Sequence, residues 1–283
     1  MPLANLPPEL HQLIIDLVAG KIVTVAFQPI KTAEKGIRDA LRSFSLVCKD
    51  WHALTLRYTF HDLSMTIFAS DKDRQRYAAL LRLLEVNPLI GQCIRRMDLS
   101  ILELEPVPVE IVEELCRAIA RVETLRLRLK LSPRPPTHPS ALDGLHHLLS
   151  TPHLRNLSIS SSYLPISLLR ALLNARSLTL QGVREVLMDG YGYGDRHSDA
   201  WRSSNLEELT VRPADRALNG IVAAQDVGLS AFFDNLKYLD VKFSLPAHPP
   251  DSQLHVLLAR WQRLQTLVLR WDIDGESKLP FSG

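Results

Sequence analysis

One short apolar pattern recurs eight times along this chain and constrains its fold more than any other feature. Each copy has the form apolar-x-x-apolar-x-apolar, as in residues 154–159 (LRNLSI). The residues at the fourth position are Leu63, Met97, Leu125, Leu157, Leu178, Leu209, Leu239 and Leu267, at intervals of 21 to 34 residues. Self-similarity at such a period is typical of repeat architectures.

The spacing within each copy predicts a strand with two unlike faces. Its fourth and sixth positions point into one core, and its third, fifth and seventh positions point the other way. Segments of helical spacing lie between the copies, at 77–84, 107–120, 141–149, 166–173 and 254–264. Such units cannot bury their apolar faces alone, but stacked neighbours can. The sequence therefore predicts an α/β solenoid of about eight units over residues 61–283, with a parallel sheet on the concave face and helices outside. Two segments rich in Pro, Gly and polar residues, 132–139 and 188–205, are expected to be surface loops.

The strands resemble leucine-rich repeats of the long, helix-containing kind. Residues 154–159 and 264–269 (LQTLVL) carry the likeness, which covers roughly residues 58–272. The chain departs from that family in lacking Asn or Cys after the strand and in its one 21-residue unit, so we expect irregular curvature. The alternative, a generic α/β domain with chance copies of the pattern, is disfavoured by eight near-periodic copies.

Residues 1–60 follow a different pattern. Pro7 and Pro8 stand at a helix start, and one face of the helix that follows carries Leu10, Leu13, Ile14, Leu17 and Val18. Apolar residues from 37 to 60 predict two more helices, with a break near Ser45–Cys48. Three short helices form a small bundle with little interior, so we expect something else to cover part of its apolar surface.

This segment resembles an F-box. The likeness rests on residues 6–10 (LPPEL), on Ile14-Ile15 and above all on residues 45–51 (SLVCKDW), in which Val47 and Trp51 are expected on one helix face. The layout is particularly similar to F-box-like proteins of mushroom-type fungi. It departs from them in an insertion at residues 20–38, between the first and second helices.

The resemblance implies a substrate-recruiting adaptor of a Skp–cullin–F-box ubiquitin ligase. The F-box would dock on a Skp-type linker subunit, and through it on a cullin, while the repeats hold a protein substrate. The linker-binding residues that it implies are Leu6, Pro7, Leu10, Ile14, Leu46, Val47 and Trp51. The alternative is a leucine-rich-repeat interaction scaffold that is not coupled to ubiquitination, because the insertion puts the linker contact in doubt.

Charge and motifs offer no anchor for other functions. Lys plus Arg number 33 against 31 for Asp plus Glu, so no overall field would gather nucleic acid or an anionic membrane. His146, His147 and His153 lack the geometry and co-ligands of a metal site, and no catalytic, nucleotide or cofactor motif is present. Three widely spaced cysteines predict buried thiols in a reducing compartment. We therefore expect a non-enzymatic, soluble protein of the cytoplasm or nucleus that uses no cofactor and binds neither nucleic acid nor membrane.

The outward face of the strands carries basic residues. Four of the eight seventh positions are Arg or Lys, and the substrate-binding residues that we predict are Arg126, Arg128, Arg212, Tyr238, Lys242 and Arg270. Arg212, Lys242 and Arg270 occupy the same position in three successive strands. This row could bind an acidic or phosphorylated segment, or it could be a solvated surface of mixed charge. Ser158 and Asp240, which face the same way, are expected to tolerate Ala.

Overall fold

The computed structural model describes residues 7–23, 31–67, 71–101, 109–119, 121–130, 140–172, 174–187, 204–212, 218, 221, 232–244, 258–259 and 261–272. Its helices are α1 (Pro8–Val23), α2 (Lys31–Ser45), α3 (Lys49–Thr59), α4 (Asp71–Val86), α5 (Pro88–Cys93), α6 (Val109–Ala118), α7 (Ser140–Leu149) and α8 (Ile166–Arg170). Its strands are β1 (Asp62–Ile67), β2 (Arg96–Ile101), β3 (Thr124–Leu129), β4 (Asn156–Ser161), β5 (Tyr163–Pro165), β6 (Ser177–Gln181), β7 (Glu185–Leu187), β8 (Glu208–Arg212), β9 (Tyr238–Ser244) and β10 (Thr266–Asp272).

Eight strands form one parallel sheet. Their order is β1-β2-β3-β4-β6-β8-β9-β10, which is also their order along the chain. Every copy of the apolar pattern contributes one of these strands, and the fourth positions from Leu63 to Leu267 are paired across the whole sheet. The predicted parallel sheet and its register are confirmed.

Most of the inward apolar side chains of the strands are buried in one core, although on the edge strand β10 Leu267 is 38% and Trp271 51% exposed. Leu125 and Leu127 of β3 are fully buried while Arg126 between them is exposed, as the period of two requires. Side chains of α4, α6 and α7 join the same core, among them Leu84, Leu115 and Leu145. The architecture is therefore α/β, with helices packed on one side of a parallel sheet.

A close helix contact depends on a glycine of α7. A Cβ built on Gly144 would lie 2.8 Å from the Cα of Glu113 on α6, closer than real contacts allow. Only a residue without a side chain permits this approach of α7 to α6.

Other parts of the chain were not anticipated or lie outside the described residues. β5 and β7 form a second, two-stranded parallel sheet. The loop predicted at 132–139 and most of the one at 188–205 lie outside the described residues. Of the helix expected at 254–264, residues 254–257 and 260 lie outside the described residues, 258–259 are helical and 261–264 are not, so the helix does not extend to Leu264.

The first three helices have a small core of their own. It consists of Ile15, Leu41 and Trp51, which are all 2% exposed or less. The Trp51 ring lies 4.9 Å from the rings of both His11 and Phe44, measured between centroids. One aromatic side chain therefore holds all three helices together.

A polar contact also joins α1 to α3. The Tyr58 hydroxyl donates to the Asp16 carboxylate, and Gln12 Nε2 donates to the Tyr58 oxygen at 2.8 Å. Burial, together with the hydrogen bond to Asp16, raises the pKa of Tyr58 to about 12. Tyr58 therefore stays protonated through the physiological range.

The helix boundaries correct two expectations. The break near Ser45–Cys48 is confirmed, but α3 begins only at Lys49. Val47 therefore lies in the turn before α3, and it does not share a helix face with Trp51 as we expected. Most of the insertion at 20–38 is helical, because α1 continues to Val23 and α2 starts at Lys31. The residues between these two helices lie outside the described part.

Candidate functional site

Apolar side chains project into solvent from the three-helix segment. Leu10, Leu13 and Leu17 of α1 are 43%, 53% and 65% exposed, and Leu46 and Val47 in the turn after α2 are 83% and 40% exposed. Residues spaced by three and four positions share one side of a helix, so the three leucines form a row. We call these five residues the apolar surface.

The outward position of these leucines agrees with the expectation that the bundle leaves part of its apolar surface outside its own core. α1 is apolar around much of its circumference, and the small core takes Ile15 and the buried ring of His11. Ile14 is half-buried against that core. The leucines of the predicted apolar face are left outside, because three short helices enclose too little volume to take both sides of α1.

The structure places the predicted linker-binding residues at different depths. Leu10, Leu46 and Val47 belong to the apolar surface, and Pro7 is exposed with its carbonyl accepting from the backbone of Leu10 and His11. Leu6 lies outside the described residues. Trp51 is fully buried, which corrects its assignment as a contact residue: its effect on this surface is exerted through packing.

The outward face of the sheet carries three rows of mainly polar side chains in register. The seventh-position row runs through Thr66, Ser100, Arg128, Ser160, Gln181 and Arg212, and Lys242 is paired with Arg270. The fifth-position row runs through Ser64, Asp98, Arg126, Ser158, Thr179, Thr210, Asp240 and Val268. The third-position row includes Tyr238, which is paired with Glu208 and Thr266.

The row of three basic residues on β8–β10 is not a free positive surface. Arg212 Nη2 donates to Asp240 Oδ2 and Arg270 Nε donates to Asp240 Oδ1, both at 2.9 Å. The Asp240 side chain is only 4% exposed. We correct two expectations here: one buried carboxylate engages both arginines, and Asp240 is a central ionic contact where the sequence had suggested a replaceable surface residue.

A depression of about 480 Å³ lies on the same face, further along the sheet. Arg126 and Arg128 of β3 stand at one end and Arg212 of β8 at the other. The strands between them are β4 and β6, so the two ends are three strand spacings apart, roughly 14 Å. Its floor between the arginines is formed by Ser158, Ser160, Thr179, Gln181 and Thr210. We call this site the arginine-flanked depression.

Half of the predicted substrate-binding residues meet at this depression. Arg126, Arg128 and Arg212 line it, whereas Tyr238, Lys242 and Arg270 lie outside its lining. The hydroxyl floor and the carboxylate of Asp98, which accepts from Arg128 Nη2 at 3.1 Å, were not predicted. An alignment of the eight strand sequences in register would have indicated both features. It places the Ser and Thr residues of the floor in adjacent rows, and it places Asp98 and Arg128 at fifth and seventh positions of adjacent strands.

The three cysteines are free, but only Cys116 is buried, which corrects the expectation for Cys48 and Cys93. Burial raises the pKa of Cys116 to about 12 and also raises that of Cys93, so neither is activated for nucleophilic chemistry. No cluster of metal-binding side chains occurs within the described ranges. None of the helices described is long and apolar enough to span a bilayer.

Comparison with known proteins identifies no family for this chain, so the apolar surface and the arginine-flanked depression are interpreted from their geometry. The sequence matches no protein-family model, and no curated protein is significantly similar to it.

Proposed function

We propose that this chain is a substrate-recruiting adaptor of a Skp–cullin–F-box ubiquitin ligase. In this proposal α1–α3 are an F-box-like bundle that docks on a Skp-type linker and through it on a cullin, and the repeats are leucine-rich-repeat-like units that hold a protein substrate. The observation that carries the proposal is the apolar surface, which projects from a bundle in which the described part of the buried apolar core is three residues.

The apolar surface supports a protein partner on physical grounds. Each large apolar side chain that moves from water into an interface stabilises the complex by up to about 1.5–3 kcal/mol. Large exposed apolar side chains that cluster on one side of an element mark interaction sites, and the row of three leucines on α1 suits a helical partner. The bundle has the same sequence segments, 6–10 and 45–51, that resemble an F-box, and Leu10, Leu46 and Val47 come from them.

The sheet supports the second half of the proposal. A depression that spans four strands on one face is what the concave face of a solenoid would present, and it offers arginines and hydroxyls to a ligand. Leu56 of α3 packs into the main core, so packing links the bundle to the repeats. Two surfaces on such a scaffold hold a substrate near a ligase, and proximity then suffices for transfer by the partner enzyme.

The test is co-purification of the full chain with a Skp-type linker and titration of that complex. Leu13→Glu or Leu46→Glu should weaken linker affinity by at least about tenfold, because a carboxylate would have to be desolvated in the interface. Leu89→Glu on α5 is the matched control, because Leu89 is 54% exposed and Leu13 is 53% exposed. Absence of linker binding by the wild type, or equal losses in Leu13→Glu and Leu89→Glu, would overturn the proposal.

One observation favours the second candidate, an interaction scaffold without a ligase. α1 and α2 are 16 and 15 residues long and absorb most of the insertion at 20–38, which lengthens the helices that a linker would have to accommodate. The scaffold predicts a stable partner at the sheet and no linker in the same purification.

A further inference from the structure

We propose that the arginine-flanked depression binds a phosphate monoester carried by a protein. This inference rests on the proposed function only for the carrier, since a recruited substrate is a protein. The anion site itself is argued from the geometry of β3, β4, β6 and β8.

The depression has a cationic lining. Arg126, Arg128 and Arg212 face it, a smaller adjoining depression adds Lys130, and the described residues that line the two include no Asp or Glu. Glu208 of β8 stands at the third position of the same face but lines neither depression, and Asp98 and Asp240 at fifth positions lie on the strands just outside, β2 and β9. Each of these two aspartates accepts a hydrogen bond from a flanking arginine, Arg128 or Arg212, which orients that guanidinium and offsets part of its charge. Among the described residues, Arg126 is the lining arginine without a carboxylate partner.

The depression also has hydrogen-bond donors that the chain does not use. Among the residues that the structure describes, no partner is found for the side chain of Arg126 or for the hydroxyls of Ser158, Ser160, Thr179 and Thr210. The Nε of Arg212 is buried without a partner as well. The half-buried hydroxyls and the exposed Arg126 side chain are accessible from solvent, so a ligand with several acceptor oxygens can replace water on this floor.

The number and spread of these donors select the class of anion. A carboxylate offers two oxygens and a single charge, which one arginine satisfies in a bidentate pair. A phosphate monoester offers three strong acceptor oxygens and nearly two charges at neutral pH. It can bind a flanking guanidinium and several floor hydroxyls at once. Its carrier chain has room to run along the roughly 14 Å between the arginines.

The test measures binding of the full chain, without a linker subunit, to fluorescent degenerate peptides. Three libraries share random flanks and differ in a central phosphoserine, serine or glutamate. We expect the phosphoserine library to bind at least about tenfold more tightly than the other two, because charge-assisted hydrogen bonds account for about that factor. Inorganic phosphate should compete, and more weakly than the phosphopeptides.

Two variants locate the site. Arg126→Gln should lose at least about tenfold in phosphopeptide affinity, and Arg126→Lys should recover part of it, since lysine restores the charge without the fork. Arg176→Gln, in the exposed turn before β6 and outside the lining, makes the same charge change and should bind like wild type. Circular dichroism melts verify that each variant is folded.

Each contrary result overturns a stated part of the inference. Equal affinity for the phosphoserine and serine libraries would overturn the anion site, and equal losses in Arg126→Gln and Arg176→Gln would overturn its location. Phosphopeptides that bind no more tightly than inorganic phosphate would overturn the protein as carrier. None of these results bears on linker binding by α1–α3, so failure of this inference and failure of the adaptor proposal are distinguishable.

Discussion

Removing the carboxylate of Asp240 should destabilise the sheet far more than its surface-facing position suggests. Asp240 stands on β9 between Arg212 of β8 and Arg270 of β10, and each of its oxygens accepts one arginine hydrogen bond at 2.9 Å. The substitution Asp240→Ala leaves both guanidinium groups without this partner. It also removes an ionic contact that joins all three strands.

The magnitude follows from the bonds and the exposures. A hydrogen bond to a charged group contributes about 1.5–3 kcal/mol, so two of them set an upper bound near 6 kcal/mol. The arginine side chains are 42% and 52% exposed, so in the variant water hydrates much of each guanidinium group and offsets part of the lost interaction. Exposed ion pairs contribute only about 0–1 kcal/mol, but the carboxylate itself is 4% exposed. We therefore expect a loss of about 2–4 kcal/mol, between these limits, or roughly 3–7 °C in Tm for a chain of this size.

Urea unfolding followed by circular dichroism measures this loss. Asp98→Ala is the matched control, because it removes the same charge from the same row but breaks one bond, to an Arg128 side chain that is 61% exposed. It should cost about 0–1 kcal/mol. A double-mutant cycle of Asp240→Ala and Arg270→Ala should show a coupling of about 1 kcal/mol or more. Equal losses for the two aspartate variants, or a coupling near zero, would refute the reasoning.

Three further outcomes are expected. Leu157→Ala should cost about 2–5 kcal/mol in free energy of unfolding, because Leu157 is 2% exposed. Its control, Ser158→Ala, should change that free energy by no more than about 0.5 kcal/mol. Similar losses for the two variants in denaturant melts would contradict the strand register. Gly144→Ala should lower Tm, because the new Cβ meets the backbone of α6. Gly36→Ala should leave Tm unchanged or raise it, because its new Cβ meets nothing within 4 Å. A lower Tm for Gly36→Ala than for Gly144→Ala would contradict the helix contact. The folded-state pKa of Tyr58 is raised, so its neutral form contributes stability that is fully present below about pH 10 and is lost as pH rises through about 12. Ultraviolet titration should show one tyrosine that ionises near pH 12 in the wild type and is missing in Tyr58→Phe.

The strand register was predictable because the repeat carries it. Each strand alternates apolar and polar residues, and a slip of one residue would place an apolar row in water. Stacking of similar units then aligns equal positions, from Leu63 on β1 to Leu267 on β10. The sequence therefore contained the rows of the sheet, although the depression within them could be found only by reading across strands.

The bundle was less predictable because its first helix, α1, is not one-sided. Residues 10–18 (LHQLIIDLV) are apolar on more than one side, so helical periodicity does not select which side is buried. That choice depends on α2 and α3, whose Leu41 and Trp51 pack around Ile15. A core of so few residues is decided by the fit of particular side chains, and no pattern within α1 records that fit.

The ion pairs of the sheet face follow a rule that joins fifth and seventh positions of adjacent strands. Asp98 on β2 meets Arg128 on β3 in this way, and its other neighbour, β1, offers only a threonine at the seventh position. Asp240 meets arginines on both neighbouring strands, which explains why its side chain is 4% exposed whereas that of Asp98 is 26% exposed. Arg126 stands at a fifth position flanked by serines at the neighbouring seventh positions, so the same rule gives it no carboxylate. The arrangement that satisfies two aspartates thus leaves one arginine beside a floor of unused hydroxyls. The sequence alone suggested a uniform basic row on this face. The structure instead has an ionic cluster around Asp240 on β8–β10 and, on β3–β8, the depression that we propose binds an anion.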